Sequence, residues 1–267
     1  MKKRYIFLTA LLLSTTIFSC KKNAIQIIDQ KLDGTQSQIK FFNFGINAPS
    51  MNLYANGNKI SAIASATGAE STAGTAYGGV FPASNYEVIA PGAYALKGQI
   101  SSSAATDANL AVLTATTTID ASKSYTLYAC GFYNTTAKTS DSFVTVDNLP
   151  ALDYTVAYVR FVNTVPNAPQ NLNMYLKNTT TSTETLIATN IAYKAASDFV
   201  SVPIGVYEIY CRYPTAPTVN VISRNATTNG TVSVVGGKVY TFGSRGDITV
   251  VSTSATNRPL IDNTANR

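Results

Sequence analysis

The chain has 267 residues, 45% of them hydrophobic, which is enough to bury one large core or two of domain size and excludes disorder as its whole state. Only 13% are charged, 20 basic against 14 acidic, and histidine and tryptophan are absent while tyrosine reaches 16. Lack of histidine removes the side chain that most often moves protons near neutral pH and binds transition metals, and the low charge points to an extracytoplasmic all-β protein rather than a cytosolic enzyme.

Lys2, Lys3 and Arg4 precede an apolar run over residues 5–18, too short to span a bilayer comfortably and laid out as a secretory signal peptide, 1–19. Its end, Ile17-Phe18-Ser19-Cys20, resembles the bacterial lipobox, which makes Cys20 the expected lipidation site and mature N-terminus. Removing the signal leaves 17 basic against 14 acidic residues, and no basic cluster points to nucleic acid. Acyl chains on Cys20 would hold the protein at a membrane, with 20–35 as an N-terminal linker.

Downstream the chain repeats itself. Residues 39–54 read IKFFNFGINAPSMNLY and residues 159–175 read VRFVNTVPNAPQNLNMY, so that Phe41, Asn43, Asn47-Ala48-Pro49 and Tyr54 recur as Phe161, Asn163, Asn167-Ala168-Pro169 and Tyr175. Two later blocks follow in the same order: Gly92 and Tyr94 match Gly205 and Tyr207, and Lys123, Tyr125 and Gly131 match Lys238, Tyr240 and Gly246. The reading is one β-sandwich at 36–136, a linker at 137–154 in which Phe143-Val144-Thr145-Val146 offers a further strand, a second β-sandwich at 155–252 and a C-terminal tail at 253–267. Within each half polar and apolar residues alternate, as at Lys40/Phe41 and Arg160/Phe161, and turns are marked by Asn56-Gly57, Pro91-Gly92 and Gly236-Gly237. Short strands at this spacing imply an all-β fold of two tandem sandwiches, immunoglobulin-like or transthyretin-like. Cys130 and Cys211 fall at non-equivalent places in the two halves and are expected to stay unpaired and buried.

The basic-Phe-x-Asn strand, the Ala-Pro step, the aliphatic-Tyr strand with its Asn-Gly turn, and the closing Lys-x-Tyr-Thr strand resemble the domain-of-unknown-function 4397 family. The resemblance implies a sandwich fold and an envelope location, as in surface or periplasmic lipoproteins of Bacteroidota, and implies no activity. The second half departs from the pattern, with a longer loop at 177–184 in place of the Asn-Gly turn.

Motifs for chemistry are missing. A catalytic triad needs histidine, Lys123 and Lys238 read as solvated strand-entry residues, and the acid groupings Asp29 with Asp33 and Asp141 with Asp147 read as loop solvation. Neither a zinc set nor a calcium loop is present, nor a glycine-rich phosphate loop, so no metal, cofactor or catalytic residue is assigned. Aromatic residues remain. Those shared by both halves read as core or corner residues, whereas Tyr77 and Phe81 lie in an insertion over 61–85 and Tyr193 falls at nearly the corresponding place in the second half. Tyr77, Phe81 and Tyr193 are therefore the candidate ligand-stacking residues. The expected protein is a non-enzymatic cell-envelope lipoprotein, of the outer membrane of a Gram-negative cell, whose sandwiches serve binding, adhesion or spacing. The alternative is an accessory glycan-binding lipoprotein of a nutrient-uptake system. Its expected partners are the membrane, through the anchor, and a glycan or another envelope protein.

Overall fold

The computed structural model describes residues 34–61 and 73–267, in which every regular element is a strand; Cys20 and the rest of the anchor sequence lie outside the described residues. The first half contains β1 (Ser37–Asn43), β2 (Asn52–Ala55), β3 (Asn58–Lys59), β4 (Gly79–Phe81), β5 (Glu87–Ile89), β6 (Gly92–Gln99), β7 (Ala111–Ile119), β8 (Ser124–Asn134) and β9 (Thr139–Asp147). The second contains β10 (Ala157–Asn163), β11 (Leu172–Asn178), β12 (Glu184–Ile191), β13 (Ala195–Ala196), β14 (Val200–Val202), β15 (Gly205–Arg212), β16 (Ile222–Arg224), β17 (Val232–Val234), β18 (Val239–Arg245) and β19 (Leu260–Ala265).

Each half is a pair of sheets. In the first, β4 and β5 share one edge of β1, which pairs in parallel with β8 and through it β9, while β3-β2-β6-β7 forms the second sheet. The second half repeats this as β13 and β14 on β10, then β18 and β19, facing β12-β11-β15 with β16 and β17. Equivalence extends to single residues, since Phe41 lies opposite Leu127 and Phe161 opposite Phe242. Asn56-Gly57 forms the expected hairpin turn with both residues at positive φ, 49° and 84°, the conformation a two-residue turn between twisted strands demands. The repeated tyrosines repeat their bonds: Tyr94 donates to Ala90 O and Tyr207 to Pro203 O, while Tyr125 and Tyr240 accept from the N–H groups of Asp120 and Val235. Cys130 and Cys211 are buried and free.

Two expectations change. The segment 137–154, read as a linker with a further strand offered at 143–146, holds the longer β9, whose residues pair with β8 from Ser124–Asp147 to Asn134–Thr139 and make it part of the first sandwich. The tail at 253–267 holds β19, which occupies the same place beside β18. Both strands lie at a sheet edge and still contribute to the interior, β9 through Phe143 and Val144 and β19 through the fully buried Ile261.

One core fills each sandwich, around Ile39, Phe41 and Leu127 in the first half and Val159, Phe161 and Phe242 in the second. A third cluster, Phe42, Phe44, Tyr128 and Val162 with Val80, Phe143 and Ala196 against it, joins the inner sheet of one half to that of the other. The molecule is thus four sheets deep, and β1, β10 and β18 are buried on both faces. Rings stack through the middle layer: Phe42 on Tyr128 and Tyr128 on Phe143, each pair 4.9 Å apart.

Candidate functional site

The strand directions define two ends. β1, β8, β10 and β18 start at one end, where Arg267 donates to Pro150 O. At the other end β1 and β10 finish, and both Asn-Ala-Pro corners follow. There a cleft of about 480 Å³ opens in the first half, lined by Asn47, Ser50, Ser101, Ser103, Asp107 and Tyr133 among others. Asn47 is exposed and held in the left-handed region at φ 61°, which asparagine tolerates better than most residues. Asp107 is ion-paired with Lys138, so its charge is compensated locally. Tyr133 packs on the first core while lining the cleft.

The second half closes the same corner. Asn167 Nδ2 donates to Asp247 Oδ1 at 2.7 Å and its Oδ1 accepts from Ile248 N at 3.1 Å. Gly131 and Gly246 share a left-handed conformation. After Gly131 the chain continues as β8 and bridges Ile46 through Phe132, whereas after Gly246 it folds over Asn167. Hydroxyl bonding from Thr249, with Asn167 beside it, holds the Asp247 carboxyl below its ordinary range. The open cleft therefore offers hydroxyls, an amide, an ion-paired carboxylate and one phenol ring beside the apolar Pro49, Ile100 and Ala104. Such a lining can hold an uncharged hydrogen-bonding ligand. Among the described residues no three His, Cys, Asp or Glu side chains gather where they could hold a metal.

The predicted stacking residues lie on or beside short edge strands. Phe81 is the last residue of β4 and pairs with Phe41, so it belongs to a strand rather than to an inserted loop. Tyr77 and Tyr193 prove equivalent, because Gly78 N donates to Asn43 O as Lys194 N donates to Asn163 O, one residue after each ring. Each tyrosine crosses to the other half. The Arg245 guanidinium lies over the Tyr77 ring at 4.6 Å, and Tyr193 donates to Asp141 Oδ2 at 3.1 Å and lies 3.4 Å from Cys130 Sγ. Arg245 and Cys130 themselves correspond, one residue before Gly246 and Gly131. Thus the three rings do not form an exposed platform. The two tyrosines exchange contacts in the manner of a two-fold symmetric interface, a role that their near-correspondence in sequence did not reveal.

Sequence reasoning also missed the polar centre of that interface. Lys40 and Arg160, the basic residues of the repeated motif, are 0% and 2% exposed, because the polar face of each inner sheet is covered by the other half. Arg160 Nη1 pairs with Asp147 at 2.6 Å and Nη2 donates to the Tyr128 hydroxyl. Asp147, read as a solvated loop acid, instead accepts from Tyr86 and Thr126, and its side chain is fully buried. Lys40 Nζ donates across the interface to Ala265 O at 2.9 Å. Thr241 bonds Asn266 as Thr126 bonds Asp147, and Asn266 reaches Tyr86. The aromatic partners correspond too, Tyr86 under Lys40 and Phe199 under Arg160.

Burial pushes Lys40 down to about 7, partly countered by Asp147 and reinforced by Arg160. Burial also disfavours the Arg160 charge, but Asp147, Tyr128 and Tyr86 more than offset it, and Arg160 ends above its ordinary value. Desolvation raises Tyr86 and Tyr128, and it raises the Cys130 thiol to about 12, leaving no activated nucleophile there. This sealed cluster is built to join the halves, and the cleft at the far end is the candidate site.

The sequence matches the family model of DUF4397, a domain of unknown function, over residues 37–175, just over half of the chain. The chain belongs to the DUF4397 family. No curated protein matches this DUF4397 chain. Among solved structures, the Bacillus anthracis TIE protein is similar at 10% identity and a TM-score of 0.25, over 79% of this chain and 34% of that one, so the DUF4397 chain spans about a third of its length. A crystal structure from Bacteroides ovatus ATCC 8483, of a protein assigned only provisionally to cell adhesion, matches at 11% identity and a TM-score of 0.23, over 85% of this chain and 95% of its own. Likenesses at these TM-scores carry no functional weight.

Proposed function

We propose that the protein is a non-enzymatic lipoprotein of the cell envelope, anchored through Cys20, in which two fused sandwiches form a stiff body that presents the cleft end to a binding or adhesion partner. The observation that carries this reading is the polarity of the body. The chain enters β1 at Ser37 at one end, the end nearer in sequence to Cys20, while the open Asn47 corner and its cleft lie at the other. A mid-layer of stacked rings and a buried ion pair supports stiffness, since relative motion of the halves would expose both.

The lining of the cleft favours one specific version of this reading, an accessory glycan binder. Short hydroxyl side chains, the Asn47 amide and the partly exposed Tyr133 ring suit a neutral polyol better than a charged or purely apolar ligand.

Two measurements test the proposal. Labelling of cells with an alkyne-bearing fatty acid should mark the wild-type protein and not Cys20→Ala, and the wild type should partition into detergent; an unlabelled wild type overturns the anchor. Residues 21–267 on a glycan array should bind through the cleft, with Asn47→Ala and Tyr133→Ala each losing about fivefold or more in affinity, roughly one lost hydrogen bond or stacking contact. Silence on the array removes the glycan version and leaves a protein partner.

A further inference from the structure

The duplication supplies an internal control at the end of the body opposite the cleft. Hydrogen bonds fix the correspondence there. Tyr94 to Ala90 O matches Tyr207 to Pro203 O, which places Pro91 with Ile204 and Ala93 with Val206. Asp120 N to Tyr125 matches Val235 N to Tyr240, which places Asp120 with Val235. The same backbone is thus built twice, with Pro91, Ala93 and Asp120 in one copy and Ile204, Val206 and Val235 in the other.

The fold does not ask for the apolar set. Ile204, Val206 and Val235 are 51%, 38% and 47% exposed, and Tyr154, in the connection between the halves, is 57% exposed. They share one corner of the molecule. A Cβ on Gly236 would meet Tyr154 O and Ile204 Cδ1 at once, and Gly205 pairs with Val234 immediately before Val235. Charge changes in the same direction. Lys123 is ion-paired with Asp120 in the first half, whereas its counterpart Lys238 stands beside Val235. The acid near this corner is Asp153, whose carboxylate accepts from the Thr155 N–H and hydroxyl.

An aromatic ring with a polar tip, exposed branched aliphatics and a lysine make the combination that settles at the boundary between headgroups and acyl chains. We propose that Tyr154, Ile204, Val206, Val235 and Lys238 form a lipid-contact face that lays the second half on the membrane. The proposal rests on the anchored reading above. The chain enters β1 at this same end, and the 16 residues between Cys20 and Ser37 reach at most about 55 Å when fully extended, so the anchor permits the contact without enforcing it. Lys238, together with Lys21 and Lys22, favours an anionic surface.

The test uses unacylated residues 21–267 floated with phosphatidylcholine vesicles, with and without a quarter of phosphatidylglycerol, at low salt. The wild type is expected to float with the anionic vesicles, Ile204→Ser with Val235→Asp to float at least fivefold less with an unchanged melt, and Ala93→Ser in the first half to match the wild type. Sedimentation at the same concentrations should give a monomer. A wild type that stays in the aqueous fraction, a double variant that floats equally well, or a dimer that the double variant dissociates would each overturn the lipid face, the last by showing that a second copy covers the patch. Failure here with fatty-acid label on Cys20 leaves the anchored reading standing, and flotation without label on the native protein leaves the face standing and removes the anchor.

Discussion

Lys40 and Arg160 hold the same place in the two halves, yet one is buried against a backbone carbonyl and the other in an ion pair. The difference comes from the residue that faces them. Asp147 ends β9, and its counterpart just after β19 is Asn266, so the buried polar centre of the interface holds one carboxylate facing Lys40 and Arg160. Arg160, with its forked donors, reaches Asp147 and Tyr128 together and keeps its charge. Lys40 is left with a carbonyl, and its ammonium loses its proton near neutral pH. Two copies of one motif have thus been settled differently by a single acid-to-amide difference. Symmetry is kept where only packing is needed and lost where charge must balance.

Four experiments bear on this comparison. The largest effect is expected from ending the chain at 252, the boundary that sequence alone suggests. This removes β19 with its six-residue ladder to β18, and with it the Lys40 acceptor and Asn266, so the second half should fail to give a cooperative melt by circular dichroism. A wild-type melt would mean that β19 is dispensable.

Arg160→Met comes next. It strands Asp147 in the interior and should cost about 3–5 kcal/mol in urea unfolding. Adding Asp147→Asn should recover most of that loss, because the stranded charge goes with it. If the double variant is as unstable as the single, the ion pair is not what the arginine supplies.

Lys40→Met should act with the opposite sign at pH 6, stabilising by about 1–3 kcal/mol, since an ammonium need no longer be buried and Ala265 O still accepts from Asn85 N. Lys40 sits at about 7 in the folded state and at 10.5 when unfolded. Between these values the unfolded chain binds the extra proton, so wild-type stability should rise with pH above 7; below 7 both states are protonated and the full cost of burial remains. Tyr86 and Tyr128 are raised and Arg160 stays charged, so the groups around Lys40 do not mask the rise up to about pH 9.5. Melts of both proteins from pH 6 to 9.5 check this, and a rise that persists in Lys40→Met would assign it to another group.

The smallest effects belong to the crossing tyrosines. Tyr193→Phe should cost about 0.5–1.5 kcal/mol, the worth of its hydroxyl bond to Asp141, and Tyr77→Leu a similar amount for the Arg245 contact. Unchanged melts for both would free these rings for a ligand and restore the stacking reading.

The strands, turns and duplication were legible because they are written locally. Val and Tyr alternate at period two, Asn56-Gly57 dictates its turn, and residues with the same bonds in both halves, such as Tyr94 and Tyr207, must recur as the same residue. Alternation says which side of a sheet Lys40 is on and nothing about what covers that side. The covering is a contact between the two halves, from 13 residues apart in sequence for Asp147 with Arg160 to 225 for Lys40 with Ala265. For that reason alternation left the cover over Lys40 and Arg160 unread, and Asp147 read as a loop acid and β9 and β19 as linker and tail, when all of them are joined at the centre of the molecule. Tyr77 and Tyr193 were placed at nearly corresponding positions, but their crossing contacts were not legible, because their neighbouring strands are two or three residues long, too short to carry a period that shows what each ring faces. The cleft at Asn47 was hidden for a related reason: the Asn-Ala-Pro spelling is the same in both halves, and whether the chain after Gly131 or Gly246 runs on or folds back over the asparagine is set by packing. Local chemistry fixed the sheets, and the burial of one sheet against another, which depends on shape and on compensating charge at long range, fixed which residues were interior.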